Sequence, residues 1–180
     1  MNQHYKKYVS LIRNINDHPK EGIVFRDITP LLENLDAFKV CVDELCSQIS
    51  TLEFNKIACI DARGFIVGVA CALRMSKDFF LIRKKGKLPF DTFTFDYELE
   101  YGSDTLEVHT DSLVEEDKVV IIDDLLATGG TALAATNLIK QAKAKVLALG
   151  VFIDLPDLEG RNKLSNEGVE VFSLFQFSGE

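Results

Sequence analysis

Residues 119–131 read Val-Val-Ile-Ile-Asp-Asp-Leu-Leu-Ala-Thr-Gly-Gly-Thr, and the fold follows from that stretch. Residues 119–122 are an unbroken β-branched run, the mark of a strand covered on both faces and therefore at the centre of a sheet. Asp123 and Asp124 leave this strand as adjacent acids. Ala127, Thr128, Gly129, Gly130 and Thr131 then lead into a helix expected over 131–144. Ligands of open α/β sheets bind beyond the carboxyl ends of the central strands, so this turn is the first place to look for a site.

Outward from it, residues 146–153 form another buried strand and residues 169–175 a last one. Upstream, 56–60 read as a strand, 65–74 as a helix and 79–83 as a strand, a βαβ unit whose strands pair in parallel. Residues 84–89 are basic and turn-like. Phe93, Phe95 and Tyr97 alternate with polar residues, as do Leu106 and Val108, which predicts an extended loop leading into a hairpin-like excursion. Near the start, Tyr5, Tyr8, Val9, Ile12 and Ile15 fall at helical spacing until Asn16, Asp17 and Pro19 stop the helix, and a loop follows. Asp36 is the expected cap of a second helix, with Phe38, Cys41, Val42, Leu45, Cys46 and Ile49 along one face. The sum is one α/β domain spanning 1–180, an open, mostly parallel twisted sheet with helices on both faces.

The length of 180 residues suits one domain, and folding at that size buries roughly 70% of the unfolded surface without a disulfide or metal staple. Apolar residues make up 47% and charged ones 27%, the balance of a soluble globular protein rather than a disordered one. The net charge of −8 repels nucleic acid. Cys41, Cys46, Cys59 and Cys71 sit in apolar stretches with no close pair, and only His4, His18 and His109 could assist them, so they read as buried thiols in a reducing compartment. The opening MNQHYKKYVS lacks a signal core. The longest apolar run, 64–73, is about half the ~20 residues of a membrane span. A cytoplasmic protein with no membrane or nucleic-acid partner is expected.

The glycines at 129–130 let backbone amides approach an anion, the threonine hydroxyls add donors, and a helix N-terminus adds partial positive charge. That cradle suits a monophosphate. Asp123 and Asp124 can accept hydrogen bonds from vicinal hydroxyls, so the fitting ligand is a ribose 5-phosphate derivative. The competing reading is an acidic turn with glycines that merely pack tightly. Other nucleotide motifs are missing: Gly86-Lys87 has Leu81 where a phosphate-binding loop needs its first glycine, and no GxGxxG occurs. Arg83, Lys84, Lys85 and Lys87 form a basic run that is either a solvated loop or, beside Arg63, a diphosphate clamp.

VVIIDDLLATGGT resembles the phosphoribosyl-diphosphate motif of the type I phosphoribosyltransferases, and DLLATGGT is similar to the form found in their adenine-using branch. GIVFRDITPLL at 22–32, IDARGF at 60–65, IRKKGKLP at 82–89 and YELEYGSDTLE at 97–107 match the same family in order and spacing. The likeness covers nearly the whole chain. Ala62 departs from a frequent serine, and 90–94 matches no family pattern.

The resemblance implies transfer of a phosphoribosyl group from 5-phosphoribosyl-1-diphosphate to adenine, giving AMP and diphosphate. It implies an N-terminal hood over about 1–35, a flexible catalytic loop over about 84–104 and a homodimer in which the segment near Arg83 reaches toward the neighbour's site. Asp123, Asp124, Ala127, Thr128, Gly129, Gly130 and Thr131 would take the ribose 5-phosphate. Asp61, Ala62, Arg63, Arg83, Lys84 and Lys87 would take the diphosphate, with Arg63 and Lys87 also counted among the catalytic groups. Glu100 would manage a purine proton. Tyr101 would cover the ribose, and Val24 and Arg26 would read the base edge through their backbones while Phe25 packs on its face. Magnesium would be held mainly by substrate and water rather than by protein ligands. A non-proline cis peptide bond is implied near Asp61 or Ala62. Two alternatives remain: a purine-responsive regulator that binds without turnover, and an enzyme acting on hypoxanthine, guanine or xanthine.

Overall fold

The computed structural model describes residues 3–99 and 102–178. A 3-10 helix, Gln3–Leu11, precedes β1 (Arg13–Asn16) and β2 (Val24–Asp27), which pair as an antiparallel ribbon. Then come α1 (Thr29–Glu33), α2 (Leu35–Ile49), β3 (Lys56–Ile60), α3 (Arg63–Met75) and β4 (Asp78–Lys84). The hairpin strands β5 (Thr92–Leu99) and β6 (Gly102–His109) lead to β7 (Lys118–Ile122), β8 (Leu125–Leu126) and α4 (Gly130–Gln141). The chain ends through β9 (Lys145–Asp154), a 3-10 turn Pro156–Leu158, α5 (Gly160–Asn166) and β10 (Glu170–Gln176).

The main sheet runs β10-β9-β7-β3-β4-β6-β5, with β8 paired to β9. Pairs from β10 to β4 are parallel, and the β5–β6 hairpin adds to β4 antiparallel. β7 is the middle of the five parallel strands, where a β-branched run has to be covered on both faces. Val120 and Ile122 face a layer containing Leu45 and Ile49 of α2 and Val67 and Cys71 of α3. Val119 and Ile121 face the other layer, with Leu138 and Ile139 of α4, Leu106 and Val108 of β6 and Leu164 of α5. The four cysteines are free and buried, and burial pushes the Cys41 and Cys59 thiols up to about 12. α3 lies so close to β3 that a Cβ on Gly68 would sit 2.4 Å from the Cys59 sulfur.

The lower edge of the sheet, where strands begin, is tied by Asp117. Its carboxylate, 3% exposed, accepts hydrogen bonds from Asn55 Nδ2 at 2.6 Å and Val114 N at 2.8 Å and pairs with Lys56 Nζ at 2.9 Å. Its carbonyl accepts from Lys145 N at 2.8 Å. One residue thus connects the starts of β3, β7 and β9.

Several sequence expectations change. The helical spacing near the start fails at Ile12 and Ile15: the helix ends at Leu11, and Ile15 pairs with Phe25 in the ribbon. The cap of α2 is Asn34, whose side chain accepts from Ala37 N at 3.0 Å, and Asp36 sits in the first turn instead. The segment 84–104 is a loop only in part, because Thr92–Leu99 is strand and strand resumes at Gly102: Phe93, Phe95 and Tyr97 pack on the core and β5 pairs with β6. α1, β8 and α5 are additions that no apolar period announced.

Burial pushes the Asp117 carboxyl up, but the bonds from Val114, Lys56 and Asn55 and the Lys56 charge outweigh it and hold it below the usual range. A lowered folded pKa gives stability that is present above the unfolded value near about 3.9 and lost as pH falls through the folded one. Asp117→Ala strands three donors and is expected to cost about 2 kcal/mol, or ~4–8 °C in melting temperature. The deficit against wild type, followed by thermal melts, should shrink below about pH 4.

Candidate active site

At the upper edge β7 ends and Asp123 N donates to Gly150 O of β9 at 3.1 Å, carrying the acid pair straight off the strand. Asp124 turns back into the fold: its carbonyl accepts from Phe152 N and Ile153 N at 3.1 and 3.0 Å, and its side chain is buried. Asp123 Oδ1 accepts from Asp124 N at 2.9 Å. Burial and the neighbouring Asp124 carboxylate push the Asp123 carboxyl well above its usual range, with Arg63 opposing them. Arg63, at the start of α3, donates from Nε to Asp124 Oδ2, which joins the turn after β3 to the turn after β7. Gly64 permits that approach, since a Cβ there would lie 2.8 Å from Asp123 Oδ1.

The glycine turn is shaped from behind. Gly129 has φ +79 and caps α4, with its carbonyl accepting from Leu133 N at 2.9 Å. Gly160 presses on it so tightly that a Cβ at 160 would sit 2.2 Å from Ala127 O. Lys163 Nζ donates to Thr128 O at 2.8 Å. α5 is in turn held by Arg161, which donates from Nη2 to Asp154 Oδ2 at 2.7 Å, from Nη1 to Val171 O at 2.7 Å and from Nη2 to Ser173 Oγ at 3.0 Å. Above the turn, Tyr97 of β5 bonds the Thr131 side chain, and burial pushes its phenol up.

These pieces enclose a cleft of about 410 Å³ lined by Asp61, Ala62 and Arg63 from one side and by Asp123, Asp124 and the run 125–132 from the other. All seven residues expected around a ribose 5-phosphate, Asp123, Asp124, Ala127, Thr128, Gly129, Gly130 and Thr131, are on its wall. The Asp61–Ala62 peptide bond is cis, as the resemblance implied. Arg83 adjoins the wall through Nε to Asp61 Oδ2, 3.1 Å. Lys84 and Lys87 do not line it: Lys84 pairs with Asp104 of β6 at 2.9 Å, and the Lys87 side chain is exposed.

Phe25 reaches the same place, its ring centroid 5.3 Å from the Arg63 guanidinium. Val24 and Arg26 are two apart on β2, so their backbone groups share one edge of the ribbon. Arg26 itself is buried, bonded to Asn14 Oδ1 at 2.6 Å and Ser178 O at 3.2 Å, with its guanidinium over Phe177. Glu100 and Tyr101 lie outside the described residues. Among the described residues no group of three or more His, Cys, Asp or Glu side chains is placed to hold a metal, and no helix is long and apolar enough to cross a membrane.

Sequence reasoning missed Gly160, Lys163 and Glu107. Each acts through backbone contact at long range in sequence, which leaves no motif. Of the three, Gly160 alone is of a residue type that signals a turn, and Glu107 ends the stretch 97–107 without a residue pattern that marks its partners.

A parallel sheet with an acid pair and a glycine turn at the end of its central strand defines the type I phosphoribosyltransferase architecture. A family model described as phosphoribosyl transferase domain matches residues 31–174. An adenine phosphoribosyltransferase of Rhizobium johnstonii is 50% identical over 179 residues, 99% of each chain. The crystal structure of adenine phosphoribosyltransferase from Thermoanaerobacter pseudethanolicus is 42% identical with a TM-score of 0.92, covering 96% of this chain and 99% of its own. That of the Saccharomyces cerevisiae enzyme, complexed with an imino-altritol bisphosphate and adenine, is 32% identical with a TM-score of 0.89 and covers 97% and 100%. The chain belongs to the phosphoribosyltransferase family, among its adenine phosphoribosyltransferases.

The packing of Gly160 gives a direct test of the turn. Gly160→Ala is expected to displace the backbone at 127–129 and weaken ribose 5-phosphate binding more than tenfold in calorimetric titration. Unchanged affinity in the folded variant would remove α5 from any part in shaping the turn.

Proposed function

We propose that this protein is a purine salvage enzyme that transfers the phosphoribosyl group of 5-phosphoribosyl-1-diphosphate to adenine, releasing diphosphate and giving AMP. The observation that carries the reading is the single cleft in which the acid pair, the glycine turn and the Asp61–Ala62–Arg63 turn meet. In this reading the amides and hydroxyls of Ala127, Thr128, Gly129, Gly130 and Thr131 hold the 5-phosphate at the start of α4. Asp123 and Asp124 accept the ribose hydroxyls, and Asp61, Ala62, Arg63 and Arg83 meet the diphosphate, with Lys84 and Lys87 joining as the basic turn closes over it.

Cleavage at the ribose C1 passes through an oxocarbenium-like state. The leaving group carries the developing negative charge, so placing cations on it lowers the barrier more than any nucleophile would. Arg63 is suited to this because it is anchored to Asp124 and pre-aimed across the cleft. Phe25 offers the purine a face and the β2 backbone at Val24 and Arg26 offers its edge; Glu100 takes the proton the purine sheds, and Tyr101 covers the ribose. Magnesium suits a site with a few separate carboxylates, because it prefers phosphate oxygens and waters; bound with the donor, it neutralises part of the diphosphate charge.

A hood of about 1–35 and a segment of about 84–104, basic turn and hairpin together, that shifts to cover the site complete the reading, as does a cytoplasmic location. We also infer a homodimer. Ile66 and Leu73 lie two turns apart on α3 and are 49% and 75% exposed, an apolar face that a second copy would cover, with the Arg83 segment reaching toward the neighbour's site.

Incubation with magnesium, the diphosphate donor and each purine base in turn should give AMP from adenine as the fastest reaction. Hypoxanthine or guanine turning over equally fast would sink the choice of base. Replacing both Asp123 and Asp124 with Asn is expected to lower kcat/KM by about one to three orders of magnitude, the difference between charge-assisted and neutral hydrogen bonds at two positions. A raised Asp123 pKa is stabilising only below the unfolded value and is lost as pH rises through the folded one. The double variant should therefore melt no lower than wild type at neutral pH, apart from the loss of the Arg63 pair. Near-normal kcat/KM in such a stable variant rejects the ribose role.

A further inference from the structure

Glu107 lies on β6 directly opposite Arg83 of β4 and is 4% exposed. A carboxylate this buried needs donors, and it has three, all backbone. Lys87 N and Leu88 N each donate to Oε1 at 2.7 Å, and Gly86 N donates to Oε2 at 3.1 Å. Gly86 has φ +79, the conformation that lets successive amides of a turn converge on one anion. Burial pushes the carboxyl up, and the three amides and the charge of nearby His109 hold it below its usual range.

The same turn is gripped from other sides. Arg83 Nη1 donates to Lys87 O at 3.5 Å while its Nε donates to Asp61 on the cleft wall at 3.1 Å. Lys85 N donates to Thr105 O at 3.0 Å, and Lys84 pairs with Asp104. Asp104, Thr105 and Glu107 all belong to β6. The hairpin therefore carries the basic turn, and Glu107 is the contact that fixes its backbone while the Lys87 side chain stays exposed.

We propose that Glu107 is a positioning residue for the diphosphate end of the donor: by filling the amide nest at 86–88 with an internal carboxylate, it sets the turn from which Arg83 and Lys87 meet the substrate. Two consequences follow. The nest is denied to the substrate's own phosphates, so at this turn the diphosphate is met by side chains. The basic turn and the hairpin are also coupled, since the Glu107 carboxylate adds three bonds to the Lys85–Thr105 and Lys84–Asp104 contacts. The inference rests on the transferase reading and adds a residue to it.

The test compares wild type with Glu107→Ala, Glu107→Gln, Lys87→Ala and Glu107→Ala/Lys87→Ala, measuring kcat, the KM of each substrate and the melting temperature. Glu107→Ala should raise KM for the diphosphate donor at least tenfold while KM for adenine stays within twofold. Glu107→Gln should fall between it and wild type, because its one carbonyl oxygen can still accept two of the amides. The double variant should lose less than the product of the two single losses, as expected when one residue acts through the other. A donor KM within twofold of wild type in folded Glu107→Ala overturns the proposal, and so do KM values for both substrates rising in parallel. If Glu107→Ala does not fold, the same split in Glu107→Gln decides. A wild-type protein that makes no AMP sinks the transferase reading itself, whereas an active wild type with an indifferent Glu107 sinks only this step.

Discussion

The ion pair between Arg63 and Asp124 is the contact around which the upper edge of the sheet is organised. It ties the turn after β3 to the turn after β7, two segments that meet only because those strands are neighbours at the sheet's centre. Asp123 and Asp124 are adjacent, and two neighbouring carboxylates near a strand end repel each other. The guanidinium relieves that repulsion from one side and the Asp124 N–H from within. Without Arg63 the acid pair would lose its cationic partner, and the turn after β3 would lose its bond to the turn after β7.

The larger constraint is charge. A chain of net charge −8 that binds a polyanion has to keep cations at hand without letting them collapse on the wrong acids. Three of the four candidate cations are parked on carboxylates, Arg63 on Asp124, Arg83 on Asp61 and Lys84 on Asp104, while the Lys87 side chain is exposed. The paired side chains of Arg63, Arg83 and Lys84 remain 42%, 31% and 60% exposed; an exposed pair such as Lys84–Asp104 is worth only about 0–1 kcal/mol, whereas the Asp124 carboxylate, 7% exposed, depends on its Arg63 partner. A phosphate can therefore take over Lys84 at small cost and share Arg63 and Arg83 while their resting pairs hold them near their working positions. Glu107 differs in kind. It is buried and spends its charge on backbone amides, so it holds a loop in shape instead of holding a cation in reserve.

What the sequence disclosed and what it hid divide along physical lines. Residues 119–131 state a buried strand, an acid pair and a phosphate-type turn in consecutive letters, and the βαβ unit of β3, α3 and β4 shows in its apolar runs, because local periodicity and contiguous motifs are written in one dimension. The ribbon of β1 and β2 was not legible: four exposed residues in β1 carry no apolar alternation, and their pairing depends on a turn closed by the Gly22 N–H bonding to Asp17. Asn34 in place of Asp36 as a cap was a choice between two competent residues two positions apart, decided by which backbone turned first. Asp117 and Gly160 were invisible for another reason: each does its work against residues distant in sequence, and nothing in the single letter announces the partner.

Those two hidden residues mark a division of labour between the ends of the sheet. At the lower edge Asp117 binds three strand starts with nearly all its capacity internally satisfied, which makes that end rigid. At the upper edge the strands end in carboxylates and glycines whose groups face a cleft, so rigidity has to be imported from outside the sheet. α5 supplies it: Arg161 fastens the helix to β9 and β10 through Asp154, Val171 and Ser173, and Gly160 at its first turn then presses on Ala127 and Gly129. The glycine turn is thus held by packing from Gly160, which does not line the cleft, so the contact that shapes the turn takes none of the cleft's own wall.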